Sequence, residues 1–276
     1  MKRLIKIEKE RLLSSKTFYI TILIGIIIAV SQFIIEVIPA SRDLLKAYSG
    51  VSYTLPSVFK KSMSLNTSSP FRMVYLITFP ILAMMPFALT YCSDLKTGYV
   101  KNIYTRELKK KYLLSKFIVT FVSGGMAVIF PVILNIMLTM TVLPAAIPVQ
   151  NGTFAIMSKS FMCKTFYSNP FLYVFVYLII IFAFGGIFAT LILAFTRFIQ
   201  NVFLLSLSTF VLWYMLDQFN SMVKNFLDFN ISCETLVDMI QRGPVHSVCN
   251  YVFVGAFWLV ISVVLFFSTG MKSDTY

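Results

Sequence analysis

The sequence predicts an all-α membrane protein with six transmembrane helices, and three observations support that fold class. Of the 276 residues, 58% are hydrophobic and the mean hydropathy is +0.82, which leaves too little polar surface for a soluble domain of this length. The apolar residues come in blocks of about 20, the helix length that crosses a hydrocarbon core of about 30 Å. Charged residues gather at the ends of these blocks. We therefore expect a single transmembrane domain over residues 1–276.

The first apolar block follows a basic stretch, residues 1–16, with six Lys or Arg and two acids. Leu4, Ile5 and Leu12 can share one helical face, which favours an interfacial helix, and a solvated tail is the alternative. A signal peptide is a competing interpretation, because a basic start precedes an apolar run. The block is long enough to span and no small-x-small cleavage pattern follows promptly, so we expect an uncleaved helix. The expected spans are 17–38, 71–92, 117–143, 170–195, 199–217 and 250–270.

Prolines and glycines inside the spans predict how the helices pack. Pro80 and Pro86 each remove a backbone donor and should kink or loosen the second span. Irregular backbone in a membrane needs protein or water to satisfy it, so this span is expected to be buried in the bundle. The glycine pairs at 124–125 and 185–186 let helices approach closely and are expected to be packing sites.

The polar segment 93–116 carries the strongest charge between two spans. Seven basic residues face two acids, Asp94 and Glu107, and this excess should keep the segment in the cytoplasm. With both termini on the same side, the inside segments hold 15 of the 24 Lys and Arg. An apolar residue recurs every four positions, which predicts a helix with one apolar face: Val100, Tyr104, Leu108 and Tyr112. Such a helix can dock on a cytosolic partner, or its charges can serve topology alone.

The segment before the last span is expected to lie outside and to contain a short amphipathic helix at 234–242. Cys163, Cys233 and Cys249 also map outside, where disulfides can form. Cys233 and Cys249 are the most local pair and the candidate disulfide, although pairing cannot be read from sequence.

Several function classes are disfavoured by what the sequence lacks. It contains no G-x-x-x-x-G-K-[ST], G-x-S-x-G, H-E-x-x-H or paired C-x-x-C motif, and its one histidine is His246, expected at the surface. We therefore expect no catalytic, cofactor-binding or metal-binding residues. The middles of the spans hold no Asp, Glu, Lys or Arg, which argues against an ion-coupled transporter. The net charge of +13 fits anionic lipid and topology better than nucleic acid.

The pattern as a whole resembles the ABC-2-type permeases, the membrane subunits of bacterial ABC exporters. The basic amphipathic N-terminus, the six spans and the long segment before the last helix all match. The 93–116 segment is the most specific feature, with an acid, a glycine, an apolar pair, a basic residue and a run ending in lysine. These positions are Asp94, where glutamate is more usual in the family, Gly98, Ile103, Tyr104, Arg106 and Lys116.

The resemblance implies a division of labour between chains. Residues 1–16 would form an elbow helix, and 93–116 would contain a cytoplasmic coupling helix between helices 2 and 3. Two copies of an ABC ATPase subunit would bind ATP and Mg and do the hydrolysis, so this chain would not itself be an enzyme. A second permease, the same or a related chain, would complete the complex in the cell membrane, with both termini cytoplasmic. The residues expected to dock the ATPase are Asp94, Gly98, Ile103, Tyr104, Arg106, Lys109, Lys110 and Lys111.

The expected function is export of an amphipathic or hydrophobic substrate, most simply a peptide such as a bacteriocin, or self-immunity to one. Drug, lipid or glycan export by the same kind of permease is the alternative. A secondary transporter or channel outside the ABC class is a further alternative, and transport without an ATPase partner would favour it.

Overall fold

A computed structural model describes residues 1–47, 56–148, 156, 160–223, 232–241 and 247–272. Within these residues every regular element is helical and no strand occurs. Six helical segments are long and apolar enough to cross a membrane, which confirms the predicted class of a multi-pass, all-α membrane protein. They cover Lys16–Arg42, Pro70–Lys96, Lys109–Met140, Pro170–Phe195, Val202–Met222 and Val248–Met271.

Several spans are built from more than one helix, and short helices lie between the spans. The helices of the described residues, in chain order, are α1 Lys2–Leu13, α2 Lys16–Gln32, a π-helix Phe33–Val37, α3 Ile38–Ala47, α4 Val58–Lys61, α5 Pro70–Met84, α6 Ala88–Lys96, α7 Tyr99–Tyr104, α8 Lys109–Met140, α9 Cys163–Ser168, α10 Pro170–Phe195, α11 Val202–Val223, α12 Cys233–Val237 and α13 Val248–Lys272.

The bundle has two ends, because successive spans alternate in direction. We call the end with α1 and residues 97–108 and 196–201 the N-terminal face. The end with residues 56–69, 141–148 and 232–241 is called the opposite face. Since six spans is an even number, the end of α13 returns to the N-terminal face, where Lys109 Nζ donates to the Met271 carbonyl at 2.9 Å.

The centre of the bundle is the crossing of α8 and α10, and the two glycine pairs make it. A Cβ added at Gly124 would lie 2.4 Å from Ala189 Cβ, and one at Gly185 would lie 2.4 Å from a methyl of Val128. The aromatic rings of Phe121 and Phe182 press against the other glycine of each pair. This confirms the prediction that the glycines are packing sites, because only residues without a Cβ allow backbones this close.

The second span is broken at Pro86, whereas Pro80 stays inside a continuous helix. Helix α5 ends at Met84 and α6 begins at Ala88, because a proline removes a backbone donor and clashes with the preceding turn. The span is also well packed, with 56% of its apolar window buried against 17% in the fifth and sixth spans. Its burial agrees with the sequence-based expectation, and the break divides the span into two helices, α5 and α6.

The helix starts follow local capping rules. Ser15 accepts a hydrogen bond from the Phe18 amide at the start of α2, and Asn169 accepts one from the Leu172 amide at the start of α10. Pro70 and Pro170 occupy the first helical turns of α5 and α10, where a missing N–H costs nothing. The last helix of the opposite face is shorter than expected, since α12 covers only Cys233–Val237.

Polar residues near the opposite face are joined inside the protein. Asn135 donates to the Gln32 side chain at 2.7 Å and to the Ala29 carbonyl at 3.1 Å, and it accepts from the Met63 amide at 2.8 Å. Asn135 of α8 therefore links its helix to α2 and to the segment before α5, as intramembrane amides commonly do. Glu36, in the π-helix, accepts hydrogen bonds from the side chains of Gln32, Asn66 and Ser69.

Arg72, in the first turn of α5, is paired inside the protein. It is only 2% exposed and forms an ion pair with Asp238, which is 5% exposed. The two residues are 166 positions apart in the chain, so their pairing was outside the reach of any local pattern.

Candidate functional site: a buried charge network at the N-terminal face

Four charged side chains from three helices meet at the N-terminal face, and we call them the charge network. Glu8 and Arg11 come from α1, Asp94 comes from the last turn of α6, and Lys116 comes from the third turn of α8. The spacing of Glu8 and Arg11 places them on one side of α1, one turn apart. Two acids and two bases give the network no net charge.

Lys116 is at the centre of the network and is completely buried. Its ammonium group donates to Glu8 Oε2 at 3.2 Å, to Asp94 Oδ2 at 2.9 Å and to Thr90 Oγ1 at 2.9 Å. Three acceptors satisfy the three hydrogens that a lysine ammonium carries. The nitrogen also lies 4.0 Å from the centre of the Phe87 ring, a distance at which a cation and an aromatic face attract.

Arg11 closes the network from the α1 side. Both of its terminal nitrogens donate to the two carboxylate oxygens of Asp94, and Nη1 lies 3.2 Å from Glu8 Oε1. Its guanidinium carbon sits 4.2 Å from the centre of the Tyr99 ring. Burial lowers the pKa of Arg11, but the hydrogen bonds to Asp94 and the charges of Glu8 and Asp94 outweigh that effect and raise the pKa, so the cation persists at any ordinary pH.

The burial of this network fixes the positions of α1, α6 and α8 relative to one another. Glu8 is 1% exposed and Asp94 is 3% exposed, while the Arg11 side chain is 31% exposed and faces outward. Separating α1 from α6 and α8 would leave buried charges without partners, which costs several kcal/mol for each ion. The second and third spans are therefore held to the N-terminal helix at this point.

A groove of about 630 Å³ lies next to the network, between α1 and α7. We call it the α1–α7 groove. Leu4, Ile7 and Ile103 supply its apolar part, and charged side chains of both signs supply its rim. The residues around it are Arg3, Leu4, Ile7, Glu8, Tyr99, Asn102, Ile103, Thr105, Arg106 and Glu107. The groove can therefore receive an amphipathic element, and Glu8 connects its wall directly to the charge network.

The predicted docking residues fall into three groups. Ile103 and Arg106 line the groove, and Lys110 and Lys111 are exposed beside it. Asp94 lies inside the charge network and has no surface to offer a partner. The other three shape the segment: Gly98, Tyr104 and Lys109.

Gly98, Tyr104 and Lys109 each have a local role. Gly98 has φ +71°, a left-handed conformation that starts α7, and a Cβ there would meet nothing within 4 Å. Glycine is needed at this position for its backbone, since other residues rarely adopt that conformation. The Tyr104 ring packs edge-on against Tyr112 with centroids 5.8 Å apart, and Lys109 Nζ lies 5.4 Å from its centre.

The expected continuous apolar stripe through 93–116 is wrong. Helix α7 ends at Tyr104 and α8 begins at Lys109, with Leu108 in an extended conformation before it and 66% exposed. Val100 and Tyr112 are buried on two separate helices. Four-residue spacing could not reveal this break, because the turn after Tyr104 contains neither glycine nor proline.

Sequence reasoning missed Glu8, Arg11 and Thr90, and it identified Lys116 only as one of the seven basic residues of 93–116 and as the lysine that ends the family-like run. The one local signal was the acid and base three residues apart in α1, which is common on exposed helices. The contact between Arg11 and Asp94 joins residues 83 positions apart, and that between Lys116 and Glu8 joins residues 108 positions apart.

Metal and thiol chemistry receive no support from the described residues. Among them, no three His, Cys, Asp or Glu side chains come together as metal ligands. All four cysteines are free thiols in the structure, with Cys233 buried and Cys249 exposed. The disulfide between Cys233 and Cys249 stays a prediction. His246 lies outside the described residues.

The chain matches no known family model, no curated protein and no solved structure. Its functional interpretation therefore depends on its own residues.

Proposed function

We propose that this chain is the permease subunit of an ATP-driven exporter of the ABC-2 type, powered by a separate ATPase. The charge network is the observation that carries this proposal. It joins α1 to the inner ends of the second and third spans, and Arg11 also contacts the Tyr99 ring of the 97–108 segment. A force on α1 would therefore reach both spans directly, and a force on the 97–108 segment would reach them through Tyr99 and Arg11. Breaking any one of these pairs would leave a buried charge uncompensated, so α1 and the two spans should move as one unit.

The ATPase would bind at the α1–α7 groove. The apolar side chains Leu4, Ile7 and Ile103 can take the apolar side of a partner helix, while Arg3 and Arg106 can pair with acids beside it. Lys101, Lys110 and Lys111 add exposed positive charge on the same face, which would steer an acidic surface toward it. This places the N-terminal face in the cytoplasm, in agreement with its excess of Lys and Arg.

The break at Pro86 gives the second span a means of responding to movement of the docked ATPase. Helix α6 carries Asp94 and Thr90 of the network, while α5 on the far side of the break packs in the core. Movement of α1 together with the ends of α6 and α8 at the N-terminal face can then open or close a path between two permease copies. The nucleotide state of the ATPase must supply the bias, through different affinities for the two arrangements.

The cargo class rests on composition and on the family resemblance. Aromatic residues make up 16% of the chain, which suits an amphipathic or hydrophobic substrate, and we favour a peptide over a drug, lipid or glycan. A complex of two permeases and two ATPases would be required.

Substitution of Asn102 by Trp tests the docking site. Asn102 is exposed and lines the groove, so a bulky ring there should block the partner without unfolding the chain. The matched control is Lys101→Trp, one residue away on the same helix but outside the groove. The measurements are co-purification with an ATPase that carries a nucleotide-binding motif, and the ATP hydrolysis rate of the reconstituted complex.

We expect Asn102→Trp to lose the ATPase and its coupling while Lys101→Trp retains them. Equal binding by both variants would reject the groove as the docking site. Transport by the purified chain with no nucleotide-hydrolysing protein present would reject the exporter proposal itself.

A further inference from the structure

A second groove, of about 600 Å³, runs along the outside of the bundle between α1, α2 and α8. We call it the α2–α8 groove. It is a different surface from the α1–α7 groove, on the other side of α1. Its lining is apolar except for Lys9 and Ser123, and the residues are Ile5, Lys9, Leu12, Leu13, Phe18, Ile22, Ile118, Val119, Val122, Ser123, Met126, Ala127, Ile129, Phe130 and Ile133.

The groove lies at the depth of the hydrocarbon core. Its α8 wall runs from Ile118 to Ile133, within the span Lys109–Met140. Fifteen residue steps along a helix correspond to about 22 Å, and half a hydrocarbon core is about 15 Å. The groove is therefore long enough for an acyl chain that enters from one leaflet.

The groove offers no polar partner along its length. The Ser123 hydroxyl donates a hydrogen bond to the Thr120 carbonyl of its own helix, at 3.1 Å. Val122, Met126 and Phe130 present 44%, 54% and 38% of their surface to the groove and its surroundings. An occupant of these walls needs hydrocarbon surface, because a polar group there would have no hydrogen-bond partner.

The two ends of the groove differ. At one end α2 packs directly on α8, where a Cβ at Gly25 would come within 3.3 Å of Pro131. At the other end lies α1, whose Lys9 is exposed and has no carboxylate within ion-pair distance among the described residues. Lys16, at the start of α2, is exposed nearby in the sequence. The hydrocarbon part therefore ends beside a free cation.

We propose that the α2–α8 groove binds an acyl chain of an anionic phospholipid, with Lys9 holding the headgroup phosphate. The occupant belongs to the leaflet on the N-terminal face. Its chain packs between α2 and α8, and its headgroup lies on α1. Because α1 also carries Glu8 and Arg11, a bound lipid would hold the helix that anchors the charge network.

A neighbouring transmembrane helix is the other candidate occupant, and the position of α1 argues against it. Helix α1 crosses the end of the groove with Ile5, Leu12 and Leu13 against it, so a straight helix of about 10 Å diameter could not follow the groove to that face. A flexible chain with a charged headgroup can bend around α1.

Lipid retention in nanodiscs made of equal parts phosphatidylglycerol and phosphatidylcholine tests the proposal, with native mass spectrometry as the readout. Lys9→Glu replaces a positive charge that attracts the headgroup phosphate by a negative charge that repels it. We therefore expect the preference for phosphatidylglycerol to fall roughly tenfold. The matched control is Lys6→Glu, an exposed lysine of the same helix outside the groove, which should change the preference less than about threefold.

Met126→Trp tests the acyl part, because a larger ring fills the groove from an already exposed position. We expect it to displace both lipids, whereas Phe175→Trp, on an exposed position of α10, should displace neither. Melting temperatures of all four variants show whether each one is folded.

Three results would overturn the proposal. Equal losses in Lys9→Glu and Lys6→Glu would mean that only general surface charge attracts the lipid. Full lipid retention by Met126→Trp would show that the retained lipid does not bind in the α2–α8 groove. A change of Met126→Trp from dimer to monomer with unchanged lipid would assign the groove to a second copy of the chain. None of these results bears on ATPase docking, which uses the other side of α1.

Discussion

The two faces of the bundle bury charge in different ways. At the N-terminal face, four charges from three helices share their partners, and Arg11 at the edge is 31% exposed beside a groove. At the opposite face, Arg72 and Asp238 pair with one another and are both at least 95% buried. The first arrangement connects surface helices to the spans, and the second fastens one segment to one helix. In the exporter that we propose, the first arrangement would transmit motion and the second would hold its segment in place.

The largest expected effect comes from leaving one charge without its partner at either face. Arg72→Met should destabilise the protein by about 3–5 kcal/mol, because the buried Asp238 then lacks its cation. Lys116→Met should cost about as much, because the buried Glu8 and Asp94 then share the single cation Arg11. Thermal unfolding in detergent measures this loss. A change below about 1 kcal/mol at either site would show that water reaches the remaining carboxylate.

Paired substitutions at the two faces test whether the faces have different roles. Arg72→Met with Asp238→Asn, and Lys116→Met with Glu8→Gln, remove one charge of each sign and should restore most of the lost stability. We expect the first pair to keep ATP hydrolysis coupled to the permease and the second pair to uncouple it. Normal coupling in both would contradict the transmission role of the charge network.

The next effect tests whether the centre between the faces is rigid. Gly124→Ala should cost about 1–3 kcal/mol, since its Cβ would clash with Ala189 and with the Ala83 carbonyl at 2.8 Å. Gly255→Ala is the matched control, because its nearest neighbours are 3.9 Å away. Unchanged melting of Gly124→Ala would mean that α8 and α10 can move apart easily.

A smaller effect is a pH dependence confined to the opposite face. Burial, followed by the charges of Asp217 and Asp238, raises the pKa of Glu234 from 4.5 to about 7. A carboxyl group whose pKa is raised by folding stabilises the protein below its unfolded pKa and loses that contribution as the pH rises through its folded pKa. Melting temperature should therefore fall between about pH 5 and pH 8.

Glu234→Gln should flatten this pH dependence, and the exposed Glu10→Gln at the N-terminal face should leave it intact. Identical pH profiles for Glu234→Gln and the unmodified protein would place the titrating group elsewhere.

The last prediction, with the smallest effect on the protein, concerns which side of the membrane each face occupies. Cys249 is an exposed thiol at the start of α13, and Thr105→Cys would add one in the exposed turn after α7. In intact cells, a membrane-impermeant maleimide should label Cys249 and spare Thr105→Cys. Labelling of the introduced thiol from outside would reverse the orientation that we propose.

Local patterns predicted much of the architecture and little of the site. The number of spans, the packing role of the glycine pairs and the burial of the second span all follow from local composition. The 93–116 segment contributes Asp94 and Lys116 to the charge network, but its expected continuous apolar stripe was wrong. Asp94 was assigned to a partner surface, whereas it is buried. The reason is that hydropathy and spacing report on a helix, whereas the partners of a buried charge lie on other helices.

The sequence by itself determined the six helices, among the described residues, that are long and apolar enough to cross a membrane, because the length and apolarity of each one depend on consecutive residues. It also predicted a close approach of helices at residues 124–125 and 185–186, because two consecutive glycines inside a span leave a surface without Cβ atoms. Only the tertiary structure decided which charges are internal and which are free. Glu8, Asp94 and Lys116 look like ordinary surface residues until α1, α6 and α8 come together, and burial without water is what makes their pairing obligatory.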